Sequence, residues 1–275
     1  MIHWFPGHMS KAIKEIKEKE KICDLFVIVL DARAPISTYN EEFDKISPHK
    51  PRLFVITKKD YGDLKKLKLI LKKFENNSKS KVILVNLKNN FSKKIILENI
   101  NELLKEKKQK DLQKGLLKPQ LRVFVVGVPN SGKSTLINLL ASSKAKVGDK
   151  PGVTKSQQWI KAKNIQLLDT PGILWPKFDD QFVAMKLAII GSINPDIIPK
   201  QSFFTFGYRL LSKYYPEKIL NLNLTPTEDE VEIYNNLYLL AKNKNFLLKN
   251  NKLDVEKTSQ WFRNYLRKIT NVTYD

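Results

Sequence analysis

Four short runs constrain this chain more than anything else in it: Leu25-Phe26-Val27-Ile28-Val29-Leu30, Leu53-Phe54-Val55-Ile56, Val82-Ile83-Leu84-Val85 and Val123-Phe124-Val125-Val126. Each has strand length, is rich in β-branched residues, and is apolar at every position instead of alternating. A strand that is apolar on both faces has to be covered on both faces, which predicts a parallel sheet sandwiched between helices. Amphipathic stretches at 10–21, 64–74 and 94–107 supply such helices. Two further segments, Trp159–Ala162 and Ile165–Leu168, read as a hairpin turning at Lys163-Asn164. The basic stretch Lys105–Pro119 reads as a surface connection between two halves of one sheet. Beyond Ile193-Asn194-Pro195 the apolar spacing changes to three and four, in 203–215, 228–242 and 255–269, which predicts a small helical unit. The expected architecture is an α/β unit over 1–178, with an N-terminal segment 1–22, followed by an α-helical unit over 179–275.

With 42% hydrophobic residues in 275, the chain can bury a sizeable core, which excludes wholesale disorder. Lys and Arg number 49 against 28 Asp and Glu, a formal charge of +21. Such an excess points to a polyanionic partner, nucleic acid or an anionic membrane surface, against the plain alternative of a lysine-rich composition without one. The single cysteine, Cys23, excludes an internal disulfide or a four-cysteine metal site and reads as a small buried hydrophobe. No apolar stretch reaches the roughly 20 residues of a membrane-spanning helix, and the start, Met1–Gly7, lacks the features of a signal peptide. The expectation is a soluble, cytoplasmic monomer with no membrane anchor.

Gly127-Val128-Pro129-Asn130-Ser131-Gly132-Lys133-Ser134-Thr135 follows the fourth apolar run and precedes a helical one. This is the P-loop pattern in the strand–loop–helix context its mechanism needs. The glycines let backbone N–H groups point inward, the helix start adds partial positive charge, and a polyphosphate is held in the nest. Lys133 then reaches the terminal phosphates and Ser134 offers its hydroxyl to Mg²⁺, with Asn130, Ser131, Gly132 and Thr135 lining the loop. Downstream, Asp169-Thr170-Pro171-Gly172 puts a carboxylate at a strand end as a second support for Mg²⁺, and the Gly172 N–H at a γ-phosphate. Between the two, Pro151-Gly152-Val153-Thr154 offers Thr154 as a metal-binding switch hydroxyl, or a plain turn threonine.

Thr57-Lys58-Lys59-Asp60 closes the second apolar run. In guanine-nucleotide proteins a [N/T]-K-x-D at a strand end reads the base. The Asp takes two hydrogen bonds from guanine, which adenine cannot offer, and the Lys stem lies over the ring. Val82–Asn86 then brings the next strand and the loop that backs the base. In the usual order this motif follows the P-loop; here it precedes it. A sheet keeps its neighbours and crossovers wherever the chain is cut, so the order predicts a circularly permuted P-loop GTPase fold. It also leads the segment after Gly172 directly into the helical tail. An ATPase is the rival reading, set against Asp60.

These motifs, together with His3-Trp4-Phe5-Pro6-Gly7-His8-Met9, Asp31-Ala32-Arg33-Ala34-Pro35 and Gly172-Ile173-Leu174-Trp175-Pro176-Lys177, resemble the YlqF-type circularly permuted GTPase family over residues 1 to about 215. The resemblance implies GTP binding and hydrolysis with Mg²⁺, and a role in late assembly of the large ribosomal subunit. Its precursor, rRNA and proteins, would be the partner that stimulates a slow intrinsic activity. Two departures stand out. The family usually has Asn at Thr57, and a small residue at Leu87, next to the base-backing Asn86; Thr57 could lower guanine affinity, and Leu87 can serve only through its backbone.

Many GTPases place Gln after D-x-x-G to orient the attacking water; here Ile173 and Leu174 follow and cannot. The family resemblance nominates His8, in the turn before the first helix, whose alternative is a helix-start residue. By analogy with potassium-stimulated GTPases, Asn130 marks a K⁺ site beside the phosphates. The tail interleaves Lys242, Lys244, Arg263 and Arg267 with Tyr234, Trp261 and Tyr265. Such a pattern can grip RNA, or the aromatics can form the tail's own core while the cations solvate its surface. A nucleotide-gated RNA-binding scaffold with incidental turnover is the alternative to an enzyme.

Overall fold

The computed structural model describes residues 7–74, 79–117, 119–141, 157–174 and 180–275. Helix α1 (Gly7–Lys19) leads into strand β1 (Leu25–Asp31), and a short α2 (Glu42–Lys45) precedes β2 (Arg52–Thr57). Then come α3 (Leu64–Leu71), β3 (Ser80–Leu84), α4 (Phe91–Leu103), α5 (Lys105–Gln113), β4 (Leu121–Val126) and α6 (Lys133–Leu140). Strands β5 (Gln158–Ala162) and β6 (Ile165–Asp169) follow. The rest is helical: α7 (Gln181–Ile190), α8 (Lys200–Tyr214), α9 (Pro216–Leu220), α10 (Glu230–Asn243) and α11 (Val255–Lys268).

Among the described residues, six strands form one sheet in the order β3-β2-β1-β4-β6-β5. Every pair is parallel except β5–β6, the hairpin expected at Lys163-Asn164. Both faces are covered, as the all-apolar strands require. Along β1, Leu25, Val27 and Val29 face a core shared with Ile96 and Ile100 of α4 and Leu136, Ile137 and Leu140 of α6. Phe26, Ile28 and Leu30 face the opposite core, with Ala12 and Ile16 of α1 and Leu67 and Ile70 of α3. This is the period-2 alternation of a strand buried twice over. Cys23 is fully buried there, and burial pushes its thiol up to about 12.

A third core belongs to the helical region, with Phe203, Phe204, Tyr208, Leu237, Leu240, Phe262 and Leu266 at its centre. Met9, Ala34, Val128 and Leu174 of the α/β part belong to the same cluster, so the helices pack directly beside the strand ends. After α11 the chain turns back. Val272 N–H donates to the Tyr61 carbonyl, Tyr274 N–H to the Arg33 carbonyl, and the Asp275 side chain accepts from the backbone of Ile36 and Ser37.

Two elements differ from expectation. Lys105–Gln113, within the stretch read as a surface connection, is a helix. Its Lys, Glu, Gln and Leu residues are good helix formers, and Lys107 spans one turn to Asp111 at 2.6 Å, yet no apolar period betrays it. Tyr234 is not tail core: it is 44% exposed, and its hydroxyl meets that of Tyr238 at 2.7 Å. Leu237 and Leu240, on the same helix, are buried. Arg263 is also turned inward, paired with Asp196 at 2.7 Å, and so is a structural cation more than a surface one.

Candidate nucleotide site

A crevice outside the carboxyl ends of parallel strands is where α/β sheets bind ligands. Here β1, β2 and β4 lie side by side, with Asp31 ending β1, Thr57 ending β2 and Gly127 following β4. Asp169 ends β6, the next strand over.

The loop after β4 has the backbone that a phosphate cradle needs. Gly132 caps α6 in the left-handed region at φ +107°. A Cβ on Gly127 would stand 2.4 Å from the Val29 carbonyl oxygen, and one on Gly172 2.5 Å from the Pro129 nitrogen. The two segments are therefore in backbone contact that only glycine permits; the Ile173 N–H also donates to the Gly127 carbonyl at 3.1 Å. Lys133 is buried, its ammonium curled over the loop's own carbonyls at Gly127 (3.1 Å) and Val128 (2.8 Å). Burial lowers its pKa to about 8, with Asp169 pulling the other way.

Asp169 is 1% exposed, and among the described residues neither of its carboxylate oxygens has a hydrogen-bond partner. Burial raises its pKa, against the pull of Lys133 and the neighbouring Gln158. A buried carboxylate left in this condition is costly unless something else satisfies it. Ser131 Oγ is likewise buried and unpartnered among the described residues. Ser134 sits half-buried and Thr135 exposed in the first turn of α6. Orphaned hard-oxygen donors beside a left-handed cradle fit a Mg²⁺-polyphosphate ligand.

The upstream motif meets this loop directly. Thr57 Oγ1 lies 2.6 Å from the Ser131 carbonyl oxygen and 3.0 Å from that of Leu30. Lys58 Nζ donates to the Asn130 carbonyl at 2.8 Å and to Asp31 Oδ2 at 2.7 Å. Leu87 Cδ1 and Thr57 Cγ2 lie 3.3 and 3.5 Å from where a Gly132 Cβ would be. Thr57 thus bonds the P-loop in spite of being the shorter residue, and the Leu87 side chain lies against Gly132. Asp60, two residues past Lys58, is exposed and lies 3.8 Å from the Lys88 ammonium. Asn86 shapes the adjoining turn, its Oδ1 accepting from Lys88 N–H and its carbonyl from Ser92 Oγ.

Three other expected residues fall differently. Thr154 lies outside the described residues. His8 occupies the first turn of α1, not a turn before it, and its side chain is outside the described residues. Asn130 donates its amide to the Gly191 carbonyl at 2.7 Å, toward the helical region. Ile173 and Leu174 are fully buried, which leaves them no part in handling water. What the motif reading missed is the pair Asp31 and Arg33, both buried beneath Lys58; the only sequence signal was Asp31–Pro35 as a point of family likeness, with no role attached.

With this geometry in place, the comparisons with known proteins agree. A family model described as a 50S ribosome-binding GTPase matches residues 122–198. Ribosome biogenesis GTPase A of Bacillus cereus is 41% identical over 100% of this chain and 94% of its own length. That of Priestia megaterium is 40% identical, over 100% and 96%. The crystal structure of GNP-bound YlqF from T. maritima shares the fold with a TM-score of 0.66, at 24% identity, covering 96% of this chain and 97% of that one. At full length and about two residues in five, the likeness leaves one conclusion: the chain belongs to the ribosome biogenesis GTPase A family.

Proposed function

We propose that this protein hydrolyses GTP to GDP and phosphate and acts in assembly of the large ribosomal subunit. It binds the subunit precursor in its GTP form and is released on hydrolysis. The observation that carries the reading is the junction of Thr57 and Lys58 with the Asn130 and Ser131 carbonyls, which sets a guanine-reading motif against a phosphate cradle although the chain encodes them far apart. An ATP-selective site would have no use for an Asp60 two residues beyond that junction.

In this reading, Asp60 reads the base, Lys58 lies along it, and Asn86 and Leu87 back it. The loop Asn130–Thr135 holds the phosphates, with Lys133 supplying charge, and the Gly172 N–H faces the γ-phosphate. Ser134, Asp169 and the switch hydroxyl Thr154 would hold Mg²⁺, which when bound neutralises charge on the phosphate oxygens. K⁺ beside Asn130 is a second cation to test, by comparing hydrolysis in K⁺ and Na⁺ buffers. The protein works as a soluble cytoplasmic monomer, and the excess of lysine serves rRNA phosphates; among the described residues no helix is long and apolar enough to cross a membrane. The divisions 1–178 and 179–275 serve as nucleotide-binding and ribosome-binding parts.

Buried Ile173 and Leu174 favour a slow intrinsic rate, with His8 brought to the attacking water on the ribosomal particle. Two measurements test this. Co-sedimentation with large-subunit particles is expected with a non-hydrolysable GTP analogue and not with GDP; equal sedimentation in both defeats the release model. His8→Ala is expected to keep GTP binding and to lose particle-stimulated hydrolysis by about a hundredfold. Undiminished stimulation in that variant would favour the scaffold reading.

A further inference from the structure

Asp31 closes β1 and is wholly buried. Its Oδ1 accepts from the backbone N–H and the Nε of Arg33, each at 3.0 Å, and its Oδ2 from Arg33 Nη2 and Lys58 Nζ, each at 2.7 Å. Arg33, also buried, does not stop there. Its Nη2 donates to the Ile190 carbonyl at the end of α7 (3.1 Å), and its Nη1 to the Arg267 carbonyl near the end of α11 (2.9 Å). The next carbonyl along, that of Gly191, receives the Asn130 amide from the P-loop. Two loops of the candidate site, carried by different strands, are thus fastened to adjacent carbonyls at one helix end. Gly191 makes the approach possible: it sits at φ +83°, and a Cβ there would stand 3.2–3.3 Å from the Arg267 guanidinium.

The bonding pattern needs an arginine. A planar fork can hold a carboxylate with one edge and carbonyls with the other, and an ammonium at the same place cannot do both. The electrostatics agree. Lys58 is pushed down by burial and by the charges of Arg33 and Arg267, and the one group holding it up is Asp31.

We propose that Arg33 is a positioning residue: through Asp31 it holds Lys58 in place for the guanine ring, and through the Ile190 and Arg267 carbonyls it couples that placement to the docking of the helical region. The inference rests on the guanine-nucleotide reading of the site. Coupling of this kind is reciprocal, so nucleotide binding tightens the α7 and α11 ends as much as their docking tightens nucleotide binding.

A double-mutant cycle on GDP affinity, read with a fluorescent GDP, separates this role from a merely structural one. Arg33→Lys is expected to weaken GDP about tenfold in the otherwise unaltered chain and less than twofold in a Lys58→Met background. Equal losses in both backgrounds, or no loss, overturn the proposal. Hydrogen exchange on the unaltered chain needs no variant to fold: GDP is expected to slow amide exchange at 187–193 and 265–269, and unchanged exchange at both overturns the coupling. If the unaltered chain binds no GDP, the guanine-nucleotide reading falls and this inference with it. If it binds GDP and the cycle is additive, only the inference falls.

Discussion

Two aspartates at the ends of parallel strands of one sheet, Asp31 on β1 and Asp169 on β6 with β4 between them, are equally hidden from solvent and are in opposite electrostatic conditions. Asp31 is enclosed by Arg33 and Lys58. Burial alone would raise its pKa, but the two cations outweigh that and hold the carboxyl well below the usual range. Asp169 has the same burial and no hydrogen-bond partner among the described residues, and its pKa is raised. The first carboxylate is satisfied by the protein and serves as a fixed anchor. The second is left wanting, which is the condition the proposed Mg²⁺ site requires of it. Burial by itself says nothing about role; what separates structure from ligand site is whether the fold has already supplied the partners.

The comparison can be broken most forcefully at the anchor. Asp31→Ala leaves Arg33 and Lys58 with no counter-charge, and removing one partner of a buried pair costs about 3–5 kcal/mol. Denaturant unfolding of the nucleotide-free protein measures it; a loss below about 1 kcal/mol would mean that the cations find other partners.

Asp169→Asn should do the reverse. It removes an unpaired buried charge, so the nucleotide-free protein is expected to unfold no earlier, while Mg²⁺-dependent GTP hydrolysis falls on the order of a hundredfold. The sign follows from linkage: a carboxyl whose folded pKa is raised costs stability above its unfolded value of about 4, and the amide carries no such cost. A variant that unfolds earlier and still hydrolyses GTP would make Asp169 an anchor too.

The smallest expected effect concerns Lys133, whose charge acts on Asp169. Its pKa of about 8 means that the amine begins to lose its proton just above neutrality, whereas a bound phosphate needs it charged. GDP affinity is therefore expected to fall about tenfold from pH 7 to pH 9, and Lys133→Met to bind weakly with no such slope. A flat profile in the unaltered chain would place the ammonium in better company than the Gly127 and Val128 carbonyls provide.

Much of this molecule is legible from local pattern. The runs at Leu25, Leu53 and Val123 are strands because nothing else can be apolar on both faces at that length. Gly127–Thr135 is readable because a phosphate cradle is built from consecutive backbone groups. Helix α5 was hidden for the converse reason: Lys105–Gln113 is held by propensity and by an ion pair from exposed Lys107 to buried Asp111, with no apolar stripe to reveal its period. Tyr234 misled because helical spacing fixes a face only when every member of the stripe points the same way, and this one lies past the edge of the buried arc.

What the order of residues decided alone is the list of parts and, from the place of Thr57–Asp60 before the P-loop, the permuted order in which they occur. Which aspartate would find its partners within the protein, and which would be left without them among the described residues, was decided only on folding. Asp31 has one of its cations from Lys58, just past the end of the neighbouring strand, and the packing of α7 and α11 closes over Arg33 from 157 and 234 residues away in the sequence. Charge satisfaction is a property of who sits beside whom, and in a parallel sheet the neighbours are set by crossovers, not by adjacency along the chain.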